Sequence, residues 1–224
     1  MRFSIVVPML NEAPGLPRLL AQLCALERQG NQVLIVDGGS GDGSADLAMR
    51  AGLRVLSSPP GRVRQMNLGV AHATGDVLLF LHADTLLPEG ALITVRRAMQ
   101  KSGAPWGRFD VVIDGSHFML RVVARLMNLR SRWTGIATGD QAIFVTREAF
   151  DAVGGFPDQP LMEDIELSRR LLQRARPACI GDPVVTSGRR WESRGVWRTV
   201  LLMWRLRWAY WRGAPAEQLA QRYR

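Results

Sequence analysis

With 224 residues, 47% hydrophobic and 22% charged, the chain has the size and balance of one sizeable α/β domain. Two generous domains, disorder, collagen-like repeats and low complexity are excluded. The formal charge of +9 is carried almost wholly by arginine, since Lys101 is the only lysine; the bias suits phosphate ligands, fits a GC-rich genome equally well, and alone does not choose among nucleic acid, anionic lipid and a diphosphate.

The chain opens directly into a strand pattern over residues 3–7 and then meets Pro8, Asn11 and Glu12; that apolar run is too short for a signal-peptide core. After the Pro14-Gly15 break, Leu16, Leu19, Leu20, Leu23 and Leu26 recur at helical spacing. Residues 32–36 read as a second strand, ending in the loop Asp37-Gly-Gly-Ser-Gly-Asp-Gly-Ser. A helix over about 45–51, a short strand around 54–56 and a helix over 62–73 follow. Residues 77–81 form a strongly apolar strand ending in His82-Ala83-Asp84-Thr85. Continuous apolar strands alternating with helices predict a mostly parallel sheet covered on both faces, with ligand-binding loops at its carboxyl edge.

The second half changes character. Strands are predicted over 109–113, 142–145 and 184–187, and helices over 118–129, 147–153 and 161–172, the last carrying Glu163, Asp164 and Glu166. No Pro-, Gly- or Ser-rich linker divides the chain, so one domain with two halves is expected. In the tail, 196–212, Trp197, Trp204, Trp208 and Trp211 stand among leucines and are interrupted by Arg198, Arg205, Arg207 and Arg212. That pattern suits an interfacial membrane helix, or equally a helix docked on the domain or on a second subunit with its arginines snorkelling. No stretch reaches 18 uncharged apolar residues, so no spanning helix is expected. Cys24 and Cys179 match no zinc or redox spacing and read as small buried hydrophobes in a reducing compartment.

Carboxylates fall where strand-end loops are predicted: Glu12, Asp37 with Asp42, Asp84, and Glu163 with Asp164. Such a group costs free energy unless it is paired, metal-bound or hydrogen-bonded. Asp84 follows the most apolar strand and is the best metal-ligand candidate, since Mg²⁺ or Mn²⁺ takes one or two protein carboxylates and completes its shell with phosphate and water. Its other reading is a cap for a helix starting near Pro88. Asp37 reads equally as a ribose or base contact and as a cap on its own glycine turn. Gly61-Arg62-Val63-Arg64-Gln65-Met66-Asn67 sets two arginines and two amides at a predicted helix start, which attracts anions or is simply a solvated face.

Taken in order, these segments resemble the family-2 glycosyltransferases. The residues that carry the resemblance are Val7-Pro8-Met9-Leu10-Asn11-Glu12, Val36-Asp37-Gly38-Gly39-Ser40-Gly41-Asp42, Leu81-His82-Ala83-Asp84-Thr85 and Met162-Glu163-Asp164. Thr138-Gly139-Asp140-Gln141, Gly61 to Asn67 and Arg189-Arg190-Trp191-Glu192 are similar to a bacterial subgroup called rSAM/selenodomain-associated transferase 2. The resemblance implies a GT-A fold over residues 1–195, with a nucleotide-sugar half to about residue 100 and an acceptor half beyond it. A basic helix over 196–224 completes the chain. It also implies a nucleotide-diphospho-sugar donor, a UDP-sugar above others, held by Pro8, Asn11, Glu12, Asp37, Gly38, Gly39, Ser40, Asp42, Arg62, Arg64, Gln65, Asn67 and Asp84. A Mn²⁺ or Mg²⁺ ion is expected at Asp84; His82 stands where the family has an aspartate and is not counted as a ligand. Asp164 is the expected base for an inverting transfer, with Glu163 or Glu166 competing. Gly139, Asp140, Gln141, Arg189, Arg190 and Trp191 are expected on the acceptor or diphosphate side.

The rival from another class is an S-adenosylmethionine methyltransferase, because residues 33–43 also resemble its glycine-rich cofactor loop. Against it, a full strand–helix unit precedes that loop, and no acid follows the next strand between Leu53 and Pro59. A non-catalytic membrane-associated binder would use the arginines but would not require the ordered acids. No nucleic-acid partner is expected, and the protein is placed in the cytoplasm or peripherally on the inner face of the membrane.

Overall fold

In the computed structural model, which describes residues 1–223, the apolar runs become the strands of one eight-stranded sheet. The first half is β1 (Phe3–Met9), α1 (Leu16–Arg28), β2 (Gln32–Asp37), α2 (Ser44–Arg50), β3 (Val55–Ser57), α3 (Arg62–His72) and β4 (Val77–Phe80). Then come β5 (Thr85–Leu86), α4 (Ala91–Ser102), β6 (Trp106–Asp114), α5 (Met119–Thr134), a 3-10 turn (Gly139–Gln141), β7 (Phe144–Thr146) and α6 (Arg147–Ala152). The chain closes with α7 (Glu163–Leu172), β8 (Ala178–Ser187), α8 (Arg189–Arg194), α9 (Val196–Trp211) and α10 (Ala216–Tyr223).

The strand order is β3-β2-β1-β4-β7-β6-β8-β5. β3, β2, β1 and β4 run parallel, β7 runs antiparallel to both β4 and β6, and β8 runs parallel to β6. Alternate strand residues feed two cores. Ile5, Val7, Ile35 and Leu79 join one, while Val6, Val36, Leu78 and Phe80 join the other. A sheet buried on both faces needs continuous apolar strands, which is why period-2 polarity is missing from β1 and β4. α3 lies close on that sheet because Gly69 carries no side chain; a Cβ there would stand 2.4 Å from Val6 Cγ1.

The α/β expectation therefore holds, as does the helix in the tail. Four elements were not predicted: β5, the 3-10 turn, α8 and α10. β8 is also longer than the predicted 184–187, beginning at Ala178; its pairing with β6 shifts register at Phe109/Asp110, opposite the break between Ile180 and Pro183, so its halves do not read as one run. A third, smaller core joins the tail to the start of α7, with Met162, Leu206 and Leu219 buried together. Among the described residues no helix is long and apolar enough to cross a membrane.

Candidate functional site

Strand direction decides which loops meet. The carboxyl ends of β1, β2, β4 and β8 share one edge, delivering Asn11 and Glu12, Asp37, His82 and Asp84, and Arg189 respectively. Because β7 runs the other way, it is the chain entering it, Thr138 to Ala142, that lies at this edge. One antiparallel strand thus brings the Gly139–Gln141 turn to the loops of the first half.

The first-half loops are held by their own carboxylates. Asp37 is buried and accepts hydrogen bonds from the Gly39 and Ser40 N–H groups (3.0 Å each) and the Ser40 hydroxyl (2.5 Å). The cap on its own turn, one of its two readings from sequence, is present. Asp42 accepts from the Ala13 N–H (2.9 Å) and from the Ser44 N–H and hydroxyl. The Ser44 hydroxyl and those backbone bonds hold its carboxyl below the ordinary range. Asn11, at φ 55°, accepts from Gly41 N–H, while its own N–H donates to Ser40. The 8–12 and 37–44 loops are therefore stitched to each other before any ligand arrives.

On the other side the charges answer one another. His82 Nδ1 stands 3.2 Å from Asp140, and its ring lies so close over Gly139 that a Cβ there would come within 2.4 Å of Nε2. The Gly139 N–H donates to Asp164 (2.8 Å). Arg62, half-exposed at the start of α3, reaches the buried Glu163 at 3.6 Å. Burial first, then Asp164, pushes the Glu163 carboxyl up. Burial pulls Arg62 down, but Glu163 and Asp140 outweigh it and raise its pKa. Asp140 is held low by His82 and Arg62 against the effect of burial.

Two further arginines approach Asp164. Arg130, from α5, is pulled down to about 10 by burial and by the neighbouring Arg207, with Asp164 opposing. Arg207, from α9, is likewise lowered by burial, with Asp164 and Asp140 opposing. Nε and Nη2 of Arg130 and Nε of Arg207 are buried without a hydrogen-bond partner. Sequence reading left both out of the cleft.

Asp84 sits between the halves. Its Oδ1 accepts long hydrogen bonds from Thr85 (3.2 Å) and Thr186 (3.5 Å). It does not cap α4, whose N-cap is Gly90. Among the described residues no group of three or more His, Cys, Asp or Glu side chains is arranged to hold a metal. One carboxylate beside threonine hydroxyls suits a hard cation that takes its other ligands from phosphate and water. Arg189 ties the halves together by donating to Glu12 (2.5 Å), and Asp84 lies close enough to raise its pKa further.

Several expected contacts turn elsewhere. Gln65 is buried and donates to the Met9 and Val36 carbonyls (2.8 and 2.7 Å), tying α3 to the ends of β1 and β2. Gln141 is fully buried and accepts from Thr138 N–H (3.2 Å), closing a capping box. Both amides thus serve the scaffold. Asn67 donates to the Phe156 carbonyl, and Arg190 donates to Tyr223 while stacking over its ring (4.5 Å). Trp191 lies half-buried against the larger core. Pro8 lies within β1 and Gly38 directly beneath the Gln65 amide, while Arg64 is exposed. Glu166 pairs with Arg169 and Arg170 on its own helix (3.0 Å each).

Comparisons with known proteins give the family and the fold. The model of the family described as Glycosyl transferase family 2 matches residues 4–156. The chain is 27% identical over 229 residues to beta-monoglucosyldiacylglycerol synthase of Synechocystis sp., an alignment covering 92% of this chain and 46% of that protein. It is 30% identical over 175 residues to the PGL/p-HBAD biosynthesis glycosyltransferase of Mycobacterium bovis, covering 69% and 62%. The chain therefore spans less than two thirds of these relatives' lengths. Two solved structures share its fold. Staphylococcus aureus TarS gives a TM-score of 0.66 at 18% identity, over 84% of this chain and 37% of that one. Glucosyl-3-phosphoglycerate synthase of Mycobacterium tuberculosis, solved with Mn²⁺, uridine-diphosphate-glucose and glycerol 3-phosphate, gives 0.61 at 20% identity, over 81% and 70%.

Proposed function

The chain belongs to glycosyl transferase family 2, and from that premise we propose that it moves a sugar from a nucleotide-diphospho-sugar to an acceptor hydroxyl, with inversion. The observation that carries this reading is the meeting of Asp140, Glu163 and Asp164 with Arg62, Arg130 and Arg207 at the sheet edge where β4 also delivers Asp84. We read residues 1–195 as the transferase domain and 196–224 as a helical appendage that supplies Arg207 to the cleft. The stitched loops 8–12 and 37–44 form the nucleotide floor, and a UDP-sugar is the expected donor, as in the M. tuberculosis neighbour.

In the reaction the acceptor oxygen forms a bond to the anomeric carbon as the bond to the diphosphate breaks. The diphosphate leaves with the electron pair. Asp164 takes the hydroxyl proton; its carboxylate is half-buried and oriented by the Gly139 N–H. Glu163 is too enclosed for that role and instead holds Arg62 toward the developing negative charge. Asp84 would hold Mn²⁺ or Mg²⁺, which when bound would neutralise charge on the leaving diphosphate.

Thermal stability tests the donor class directly. UDP with Mn²⁺ should raise the melting temperature, whereas S-adenosylhomocysteine should leave it unchanged. Stabilisation by S-adenosylhomocysteine alone would overturn the reading in favour of methyl transfer.

A further inference from the structure

The outer faces of α5 and α9 are unused by glycosyl transfer. On α9, Trp197, Leu201, Trp204, Trp208 and Trp211 recur at steps of four, three, four and three, which places them on one stripe. Each is at least 60% exposed. Arg198, Arg205 and Arg212 follow at steps of seven along its edge, and the Arg212 guanidinium lies 5.1 Å from the Trp208 ring. α5 repeats the pattern: Phe118 at its N-cap, Val122, Leu126, Leu129 and Trp133 are exposed along one side, flanked by Arg121 and Arg125. The two helices contact each other. Neither carries an aspartate or a glutamate. Beside the stripe, Arg198, Arg205 and Arg222 line a groove of about 1040 Å³, and among its described lining residues there is no aspartate or glutamate.

Single exposed apolar residues are ordinary, but two continuous stripes mark a surface that is covered in use. Charge selects the cover. A second copy docked across a two-fold axis would set arginine rows against each other with no carboxylate on either helix to answer them. Tryptophan is enriched at the level of lipid headgroups, and helices with arginine beside an apolar face lie in that plane. We infer that α5 and α9 form a docking face for an anionic lipid bilayer. Their apolar stripes enter the headgroup–acyl boundary, and their arginines meet the lipid phosphates. The inner side of α9 packs Leu206 on Met162, next to Glu163, so the cleft lies about one helix diameter, ~10 Å, from the bilayer. The inference stands apart from the donor chemistry and survives or fails without it.

Sedimentation of the full-length protein with vesicles tests it. Mixed phosphatidylglycerol–phosphatidylcholine vesicles should bring the protein down, less so at high salt, and pure phosphatidylcholine should bring down much less. Arg198→Gln with Arg205→Gln should weaken binding about 25-fold, roughly fivefold for each arginine near an anionic surface. Trp204→Ser with Trp208→Ser should weaken it about tenfold or more, with the UDP and Mn²⁺ thermal shift kept. Quenching of tryptophan fluorescence by brominated lipids reads the same contact in the unaltered protein. Failure of the wild type to sediment, variants that bind like it, or absent quenching would each overturn the inference. So would light scattering that finds a dimer without lipid which the tryptophan variant dissolves.

Discussion

The two halves of the cleft neutralise their carboxylates by opposite means. In the first half, Asp37 and Asp42 spend theirs on backbone N–H groups and hydroxyls a few residues away or in the adjoining loop. In the second, Asp140, Glu163 and Asp164 are answered by His82, Arg62 and the Gly139 N–H, and by the field of Arg130 and Arg207. Local bonds build a rigid floor that is complete without ligand. Long-range charge pairs leave guanidinium nitrogens buried and unsatisfied, a state that a bound anion would relieve. The contrast fits the proposed division, with binding in one half and chemistry in the other.

The sharpest way to break that assignment is Asp164→Asn. It keeps the size and the acceptor oxygen that meets the Gly139 N–H but removes the base, so turnover should fall by about two to four orders of magnitude. Donor-induced thermal stabilisation should be unchanged. Steady-state rates near wild type would return Asp164 to a purely structural role.

That half was the less legible in sequence, for a physical reason. The glycines and acids of 37–44 define their turn locally, so spacing alone names them. Arg130 and Arg207 sit on helices whose outer faces also carry arginine, and nothing local distinguishes an inward guanidinium from its exposed neighbours. The same limit hid the scaffold bonds of Gln65 and Gln141, because the carbonyls of Met9 and Val36 and the Thr138 N–H that meet these amides lie in other segments or in a turn seen only in the fold. β7 was found as a strand, but its antiparallel direction, which brings Gly139 and Asp140 to the cleft, follows only from the completed sheet.

Within the first half, Asp84 and Asp37 should separate binding from folding. Asp84→Ala removes a carboxylate that makes only two long hydrogen bonds. Its melting temperature should stay near wild type, while the Mn²⁺-dependent part of donor affinity, measured by calorimetry, should drop about tenfold or more. Asp37→Ala leaves two N–H groups and a hydroxyl without their acceptor in a part-buried turn, and should cost about 1 kcal/mol in denaturant unfolding. The reverse pattern would mean that Asp84 holds the fold and Asp37 the ligand.

The smallest expected effect belongs to Asp42 and reads the local bonding through acid. The unfolded carboxyl titrates near 3.8, and in the folded loop the Ser44 hydroxyl and nearby N–H groups hold it lower. A depressed carboxyl binds fewer protons folded than unfolded, so its contribution is complete above 3.8 and is lost as pH falls through the folded value. Asp42→Asn removes that proton linkage. The variant should unfold slightly more easily than wild type at pH 6, and the gap should narrow as both are titrated below pH 4. Urea midpoints across that range check it. A gap that stays constant into acid would mean that the ionised charge of Asp42 contributes nothing to the loop, whose bonds to Ala13 and Ser44 would then act independently of its titration.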